Sequence, residues 1–155
     1  MRIIKLAIIS IIFIFLLALG FSLLIPSHIR ISKAINIHGS KDSVFALIGD
    51  TARWPEWHPA FSPRSGLKFP EISIATERRN DSEIVMQMQQ GQKRPVVNGW
   101  KLFEHPEVDS LTIQWYMDFR LGWYPWKKFG SLFYENTYGQ MMEQGLANIK
   151  TLTAQ

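Results

Sequence analysis

The first 26 residues constrain this chain most. Positions 6–25 contain no charged side chain, Arg2 and Lys5 precede them, and Pro26 follows. Because an α-helix rises about 1.5 Å per residue, a run of this length matches the roughly 30 Å hydrocarbon core of a bilayer. The run therefore predicts one transmembrane helix, within an N-terminal anchor of residues 1–26.

A cleaved secretory signal peptide is the alternative. Such peptides have a shorter apolar core of about 7–15 residues and a small-x-small cleavage site, which Ala18-Leu19-Gly20 resembles. The length of the run favours an uncleaved anchor. The chain contains no cysteine, so a lipoprotein anchor, disulfides and thiolate metal sites are excluded.

Residues 27–155 are enough for one domain and too few for two. The whole chain has 17 Lys and Arg against 13 Asp and Glu, and Arg2 and Lys5 account for half of that excess. A nucleic-acid interface needs basic residues concentrated on one face. The mild and scattered charge therefore argues against a nucleic-acid partner.

Apolar periodicity predicts the elements of this domain. Alternation over 29–38 indicates a half-buried strand, and helical spacing over 44–48 indicates a short helix that Ser40 caps. Asp50 or Thr51 can cap a second short turn. Four more strands are predicted at 72–79, 84–89, 96–103 and 111–121, with a hairpin turn at 80–81, and helical spacing runs from 129 to 152. The order predicts an α+β fold whose sheet wraps the final helix.

Three segments resemble one known family. They are 30–59, with its Trp-Pro-Glu-Trp-His-Pro turn, the strand 111–119, and the final Gly-Leu-Ala-Asn-Ile-Lys of the last helix. Together they resemble the START-like, or SRPBCC, superfamily, which includes polyketide cyclases and lipid-transfer domains. The resemblance implies a helix-grip fold, an antiparallel sheet wrapped around a long C-terminal helix, over 27–155.

The chain departs from that family between the second short helix and Ile72. Members usually carry an additional strand pair there, whereas 60–71 is short and rich in proline. We therefore expect a shortened or missing hairpin, about five strands, and a cavity that is smaller or open on one side.

An anchor directly ahead of such a domain is familiar in bacterial members of the family. Basic residues flank the apolar run on both sides, so the positive-inside rule does not decide its orientation. A short tail with a basic start usually stays in the cytoplasm. We expect a single-pass protein of the bacterial inner membrane with its C-terminal domain outside the cytoplasm.

No residue pattern indicates catalysis, a metal or a cofactor. The four histidines are scattered, and neither a nucleophile elbow nor a phosphate-binding glycine pattern occurs. His58 is interpreted as a structural residue of the helix-loop corner. Asp118 is expected to be exposed or to pair with Arg120. We therefore expect binding rather than catalysis, and a polyketide cyclase-like enzyme remains an alternative by resemblance.

Methionine and tryptophan are dense on the predicted inner face. Met is adaptable and Trp supplies large apolar area, which suits a site for a hydrophobic small molecule or lipid. Gly145 lies on the apolar stripe of the last helix, where it allows a strand or a ligand to approach. The predicted ligand-binding residues are Met86, Met88, Trp100, Trp115, Met117, Met142, Gly145 and Leu146. The alternative is that they form an ordinary core, which would make the domain a pocketless protein-interaction module.

Aromatic residues also crowd the segment 122–134, between the last strand and the last helix. Trp and Tyr beside lysine are enriched at membrane interfaces. The segment therefore indicates either a cavity mouth that touches the bilayer or an aromatic cluster that seals the end of the fold.

Overall fold

The chain forms an N-terminal helix followed by an α+β unit in a computed structural model that describes residues 2–63, 72–107 and 110–154. The strands are β1 (His28–Ile37), β2 (Ile72–Arg79), β3 (Glu83–Gln90), β4 (Val96–His105) and β5 (Ser110–Arg120). The helices are α1 (Arg2–Leu24), α2 (Lys41–Gly49), α3 (Trp54–Trp57), α4 (Pro125–Ser131) and α5 (Gln140–Thr153), with a π-helical turn, Glu135–Gly139, directly before α5.

The described strands form one open antiparallel sheet in the order β1-β5-β4-β3-β2. All five strands predicted from alternation are confirmed. The hairpin between β2 and β3 turns at Asn80, whose side chain accepts hydrogen bonds from the backbone N–H groups of Ser82 and Glu83. Positions 64–71, which contain most of the predicted shortened hairpin, lie outside the described residues.

Strand register brings the largest side chains into one row. Ile84 of β3 lies opposite Trp100 of β4, which in turn lies opposite Trp115 of β5, and all three are buried. Since side chains alternate across a strand, their neighbours point to the other, more polar face. There Gln114 donates a hydrogen bond to Ser32 of β1. One face of the sheet therefore forms the core and the other faces solvent.

Lys33 interrupts the apolar inner face of β1. It lies opposite Trp115, at the sheet edge beside the C-terminal helical region. Its ammonium contacts the carboxylates of Glu135 and Glu143, each at 2.8 Å, and these hydrogen bonds raise its pKa. The lysine therefore joins the rim of the sheet to the last helix.

Side chains cap the short helices between β1 and β2. Ser40 accepts from the N–H of Ser43 at the start of α2, and Asp50 accepts from the N–H of Ala52 in the next turn. Both capping predictions are confirmed. The turn at Asp50 directs α3 beneath the sheet, where Trp54 and Trp57 are buried.

The C-terminal region differs in detail from the single helical stretch that the spacing predicts. It begins with α4, continues through a non-helical turn at Leu132, and becomes continuous helix only from about Tyr134. α5 buries Met142, Leu146 and Ile149 against the sheet. The helix that the sheet wraps is therefore shorter than predicted, and α4 is a separate element.

α1 extends away from the core of the α+β unit. Ser22 is the one buried residue among its 23. By length and composition α1 could cross a membrane, and a signal sequence at the N-terminus would meet the same criteria. Its last turn lies next to α4, where Ile25 accepts a hydrogen bond from Lys128.

Candidate functional site

Four tryptophans form a continuous layer between the sheet and the helices, here called the tryptophan layer. Trp100 and Trp115 stack with ring centroids 5.5 Å apart, and Trp57 meets Trp115 edge-on at 5.7 Å. Trp54 completes the layer against Trp100 at 5.8 Å. Edge-to-face and offset contacts at these distances are favourable for aromatic rings. The layer therefore fills the centre of the fold with rigid apolar area.

Gly145 allows the last helix to approach the tryptophan layer. A Cβ placed on Gly145 would lie 2.8 Å from a ring carbon of Trp115 and 3.3 Å from Cδ of Pro59. The close approach that the sequence predicts at this glycine is therefore to a strand side chain. Asn148, one turn later, donates to the backbone oxygen of Trp57 at 2.9 Å and joins α5 to the same corner.

Hydrogen bonds satisfy three of the four indole N–H groups of the tryptophan layer. Trp54 and Trp57 donate to the last carbonyls of α2, those of Ile48 and Leu47, and so help to terminate that helix. Trp115 donates to the side-chain oxygen of Asn98 at 3.2 Å.

Asn98 and the indole N–H of Trp100 are polar groups inside the apolar core. Asn98 is fully buried, and its amide nitrogen lies 2.9 Å from the sulfur of Met88. The indole N–H of Trp100 has no partner among the described residues. An unpaired buried donor costs about 1–3 kcal/mol, so a molecule that supplied an acceptor there would be favoured. The sequence analysis did not single out Asn98, although the alternation of β4 places it on the same face as Trp100.

His58 belongs to the tryptophan layer as a neutral ring. It is buried, stacks on Trp54 at 5.5 Å, and accepts the backbone N–H of Ala60 through Nδ1. Burial lowers its pKa to about 3, because the charged form would lose its hydration. The structural role expected for His58 agrees with these contacts.

A cleft, here called the basal cleft, opens at the end of the sheet nearest α1. It has a volume of about 930 Å³ and lies between the β3–β4 loop, the end of β5 and the π-helical turn. Its apolar lining includes Val96, Phe119, Leu121, Tyr134 and Tyr138. The rings of Tyr134 and Tyr138 contact Phe119 at 4.9 and 4.7 Å, which makes an aromatic floor.

The rim of the basal cleft is basic. Lys93, Arg94, Arg120 and Lys127 line it, and no Asp or Glu is among its described lining residues. Arg94 donates through one guanidinium nitrogen to the backbone oxygen of Leu121, which holds it at the rim. An apolar floor beneath cationic side chains suits an amphiphilic molecule better than a fully apolar one.

The structure places the eight predicted ligand-binding residues in the interior. Met86, Trp100, Trp115, Met117, Met142 and Leu146 are buried members of one core cluster, and Gly145 lies against Trp115. Met88 is half-buried at the edge of that cluster. None of the eight lines the basal cleft. Their role in ligand binding stays a prediction.

Asp118 pairs with a residue that the sequence analysis did not consider. Register places it opposite Arg30 of β1, whose guanidinium donates two hydrogen bonds of 2.7 Å to its carboxylate. These hydrogen bonds lower the pKa of Asp118. The expected partner Arg120 lies two residues along the same strand and forms no hydrogen bond with Asp118 in the described chain.

A metal site is not evident in the part of the chain that the structure describes, where no three His, Asp or Glu side chains form a group suited to a metal ion. Among the described residues, the charged side chains that line the basal cleft are those of its basic rim, and the two tyrosines add hydroxyl groups.

Several solved structures are similar to this chain. No protein-family profile matches it, and neither does any curated protein sequence. A hypothetical protein from Helicobacter pylori superposes with a TM-score of 0.61 at 12% identity, over 81% of this chain and 88% of that one. The di-domain ARO/CYC protein StfQ of the steffimycin biosynthetic pathway gives 0.60 at 11% identity, over 83% of this chain and 51% of StfQ. A START superfamily protein from Mycobacterium smegmatis gives 0.50 at 15% identity, over 81% and 97%.

Proposed function

Because the chain has the START-like, or SRPBCC, helix-grip fold, we propose that it is a membrane-tethered domain that binds a hydrophobic small molecule or lipid. The single observation that carries this proposal is the basal cleft, which combines an aromatic floor with a basic rim beside the end of α1. In this proposal residues 1–26 are the anchor and residues 27–155 the binding domain.

The ligand would enter through the basal cleft and reach the interior past Met88. Met88 lies opposite Val96 of the cleft lining and is half-buried. Methionine has three rotatable bonds and fits irregular spaces, so its side chain can move aside at low cost. Its displacement would free the amide of Asn98, which now contacts its sulfur. The predicted residues Met117 and Met142 would then contact the apolar body of the ligand.

Apolar burial would supply most of the affinity. Burying about 300 Å² of apolar ligand surface yields about 7.5 kcal/mol at about 25 cal/mol per Å², before the costs of association. The polar groups would set the orientation of the ligand. Asn98 and the N–H of Trp100, which has no partner among the described residues, lie in the interior, and Arg94 lies at the rim. An amphiphile with its polar end at the rim matches this arrangement.

Tethering explains why such a cleft would lie beside α1. A ligand that dissolves in the membrane is concentrated in the bilayer, so an anchored domain can bind it without the ligand first crossing water. The hydrogen bond from Lys128 to Ile25 keeps the domain close to the end of α1.

The test is to purify the full chain from bacterial membranes in detergent and look for bound molecules by native mass spectrometry and organic extraction. We expect a lipid or isoprenoid at near-stoichiometric amount. Val96→Trp should fill the cleft and reduce the bound molecule severalfold. Ala75→Trp, on the exposed outer face of β2, is the matched control and should retain it.

A second candidate, an interaction module without a pocket, is favoured by the complete burial of the tryptophan layer. A full chain that carries no molecule, and whose mass does not change after incubation with membrane lipid extract, would replace the binding proposal with this one. Equal retention by Val96→Trp and wild type would contradict the basal cleft as the entrance.

A further inference from the structure

The segment that follows β5 exposes its large apolar side chains, and we call residues 123–133 the aromatic segment. Trp123, Trp126 and Phe133 are 69%, 61% and 70% exposed. Tyr124 stacks between Trp123 and Trp126, with centroid distances of 4.5 and 4.9 Å, so these rings form one surface. A contiguous exposed apolar patch of this kind marks an interaction site.

Two of the three buried residues of α4 are polar, the reverse of a helix in water. In α4 the inward positions, three residues apart, hold Pro125, Lys128 and Ser131. Lys128 is only 6% exposed, whereas Phe129 beside it faces outward. A helix on a water-facing surface buries its apolar stripe and exposes its lysines. α4 therefore fits surroundings that are themselves apolar on its outer side.

The inward lysine fixes the position of the aromatic segment. Its ammonium donates at 2.9 Å to the backbone oxygen of Ile25, just beyond the last turn of α1. A cation there also complements the negative end of the α1 dipole. The N–H of Leu121 donates to Ser27, which brings the start of the segment to the same level. The exposed aromatic side chains are thus continuous with the end of the apolar helix.

We propose that the aromatic segment is a second membrane contact, lying in the interface of the same leaflet from which α1 emerges. This inference rests on α1 being the proposed tether. Trp126, Phe129 and Phe133 enter the boundary between headgroups and acyl chains, where aromatic side chains are enriched. Lys127 stays at headgroup level with its ammonium 5.5 Å from the ring centre of Tyr124.

This contact places the mouth of the basal cleft at the bilayer surface. Gly122 and Lys127 both line the cleft. Gly122 directly precedes the aromatic segment, and Lys127 lies within it. A domain held by α1 alone could swing away from the surface. Two contacts, a spanning helix and an interfacial segment, hold it in one orientation, so that a lipid can pass from the leaflet into the cleft.

The experiment uses the full chain reconstituted into vesicles of phosphatidylethanolamine and phosphatidylglycerol, with part of the lipid brominated near the headgroup end of its acyl chain. Bromine quenches tryptophan emission only at short range. Trp123 and Trp126 should be quenched, while the four residues of the tryptophan layer, being buried, should not. The double variant Trp123→Phe/Trp126→Phe should lose the quenched component.

A further pair of variants tests the apolar face directly. Phe129→Ser with Phe133→Ser should reduce quenching of the two tryptophans. The matched control Phe103→Ser removes an exposed aromatic ring from β4, 46% exposed, and should leave quenching unchanged.

Flotation of the same vesicles separates the two proposals. A chain that floats with the vesicles but shows no quenching overturns the aromatic segment as a membrane contact and leaves the tether intact. A chain that does not float overturns both. Contacts with a second copy would show as protection of Trp123 and Trp126 that depends on the protein-to-lipid ratio, and that result also overturns the inference.

Discussion

Gly145 sets the distance between the last helix and the sheet. Its missing Cβ would meet the ring of Trp115 at 2.8 Å, and Trp115 is itself packed against Trp100 and Trp57. We predict that Gly145→Ala lowers the free energy of unfolding by about 1–3 kcal/mol, the usual cost of overpacking a core. Chemical denaturation of the full chain in detergent, followed by tryptophan emission, measures it.

Gly130 is the matched control for that substitution. It is an exposed glycine in α4, and a Cβ there would meet nothing within 4 Å. Gly130→Ala should be neutral or stabilise by up to about 1 kcal/mol, because alanine is the better helix former. Equal destabilisation by both substitutions would show that contact with Trp115 is not what limits position 145.

His58 makes stability depend on pH in a defined interval. Its folded pKa of about 3 lies below the unfolded value of 6.5, so the unfolded state binds more protons between these values. Stability is therefore complete above pH 6.5 and falls as pH decreases towards 3. The slope can reach about 1.4 kcal/mol per pH unit.

The variant His58→Phe tests this assignment. Phenylalanine keeps an aromatic ring against Trp54 but cannot take up a proton. Between pH 6.5 and about 5, above the range in which carboxylates usually titrate, the wild-type slope should be absent from the variant. If urea titrations give the same slope for both proteins, His58 is not the group that titrates.

At the scale of single residues, sequence patterns located side chains better than they identified partners. The alternation of β5 correctly placed the side chains of Asp118 and Trp115 on opposite faces of the sheet. Its partner Arg30 is 88 positions away in the chain, and the sheet register brings the two together. For Asn98 the sequence was sufficient, because the alternation of β4 alone places it on the inner face of the sheet next to Trp100.

Among the elements, α4 depends on one buried lysine. Removal of the Lys128 ammonium would leave the oxygen of Ile25 without this donor at the junction of α4 and α1. We predict that Lys128→Met weakens this junction by about 1.5–3 kcal/mol, the range for hydrogen bonds to charged groups. Hydrogen exchange at the N–H of Leu121, which donates to Ser27 beside the junction, should become faster.

Lys127→Met provides the comparison for Lys128. Its side chain is exposed and contacts the ring of Tyr124 instead of α1. Exchange at Leu121 should not change in this variant. Faster exchange in both variants would mean that total charge, and not the contact with Ile25, holds the junction.

Periodicity predicted every described strand because a strand with one buried face alternates by necessity. It was less accurate for the C-terminal region. Phe129 and Phe133 lie four residues apart, as Tyr138 and Met142 do, and both pairs were assigned to one helical stretch. The structure turns Phe129 and Phe133 outward and Met142 inward. Spacing identifies the residues that share one side of a helix, and it does not show whether that side packs against the core or faces outward.

For the whole molecule, orientation in the membrane is directly testable because the chain has no cysteine. Ala75→Cys introduces a single thiol on the exposed outer face of the domain, and Ile3→Cys introduces one ahead of the apolar run. With the domain outside the cytoplasm, a membrane-impermeant maleimide should label Ala75→Cys in intact spheroplasts. Ile3→Cys should react only after lysis.

The reverse labelling pattern would place the domain in the cytoplasm. A mature chain that lacks Ile3 altogether, seen by mass spectrometry, would show that residues 1–26 are a cleaved signal peptide. Either result would leave the helix-grip fold of the domain unchanged, because the contacts of the core lie within residues 27–155.

The sequence by itself determined the local features of this protein: the apolar helix, the strands, the caps at Ser40 and Asp50, and the order of elements, which predicted an α+β fold whose sheet wraps the final helix. These depend on neighbours a few positions apart, so periodicity and capping chemistry contain them. Tertiary structure alone decided the partner of Asp118, the outward face of α4 and the basal cleft. Each depends on strand register and on which surfaces meet, and those are set by packing between residues distant in the chain.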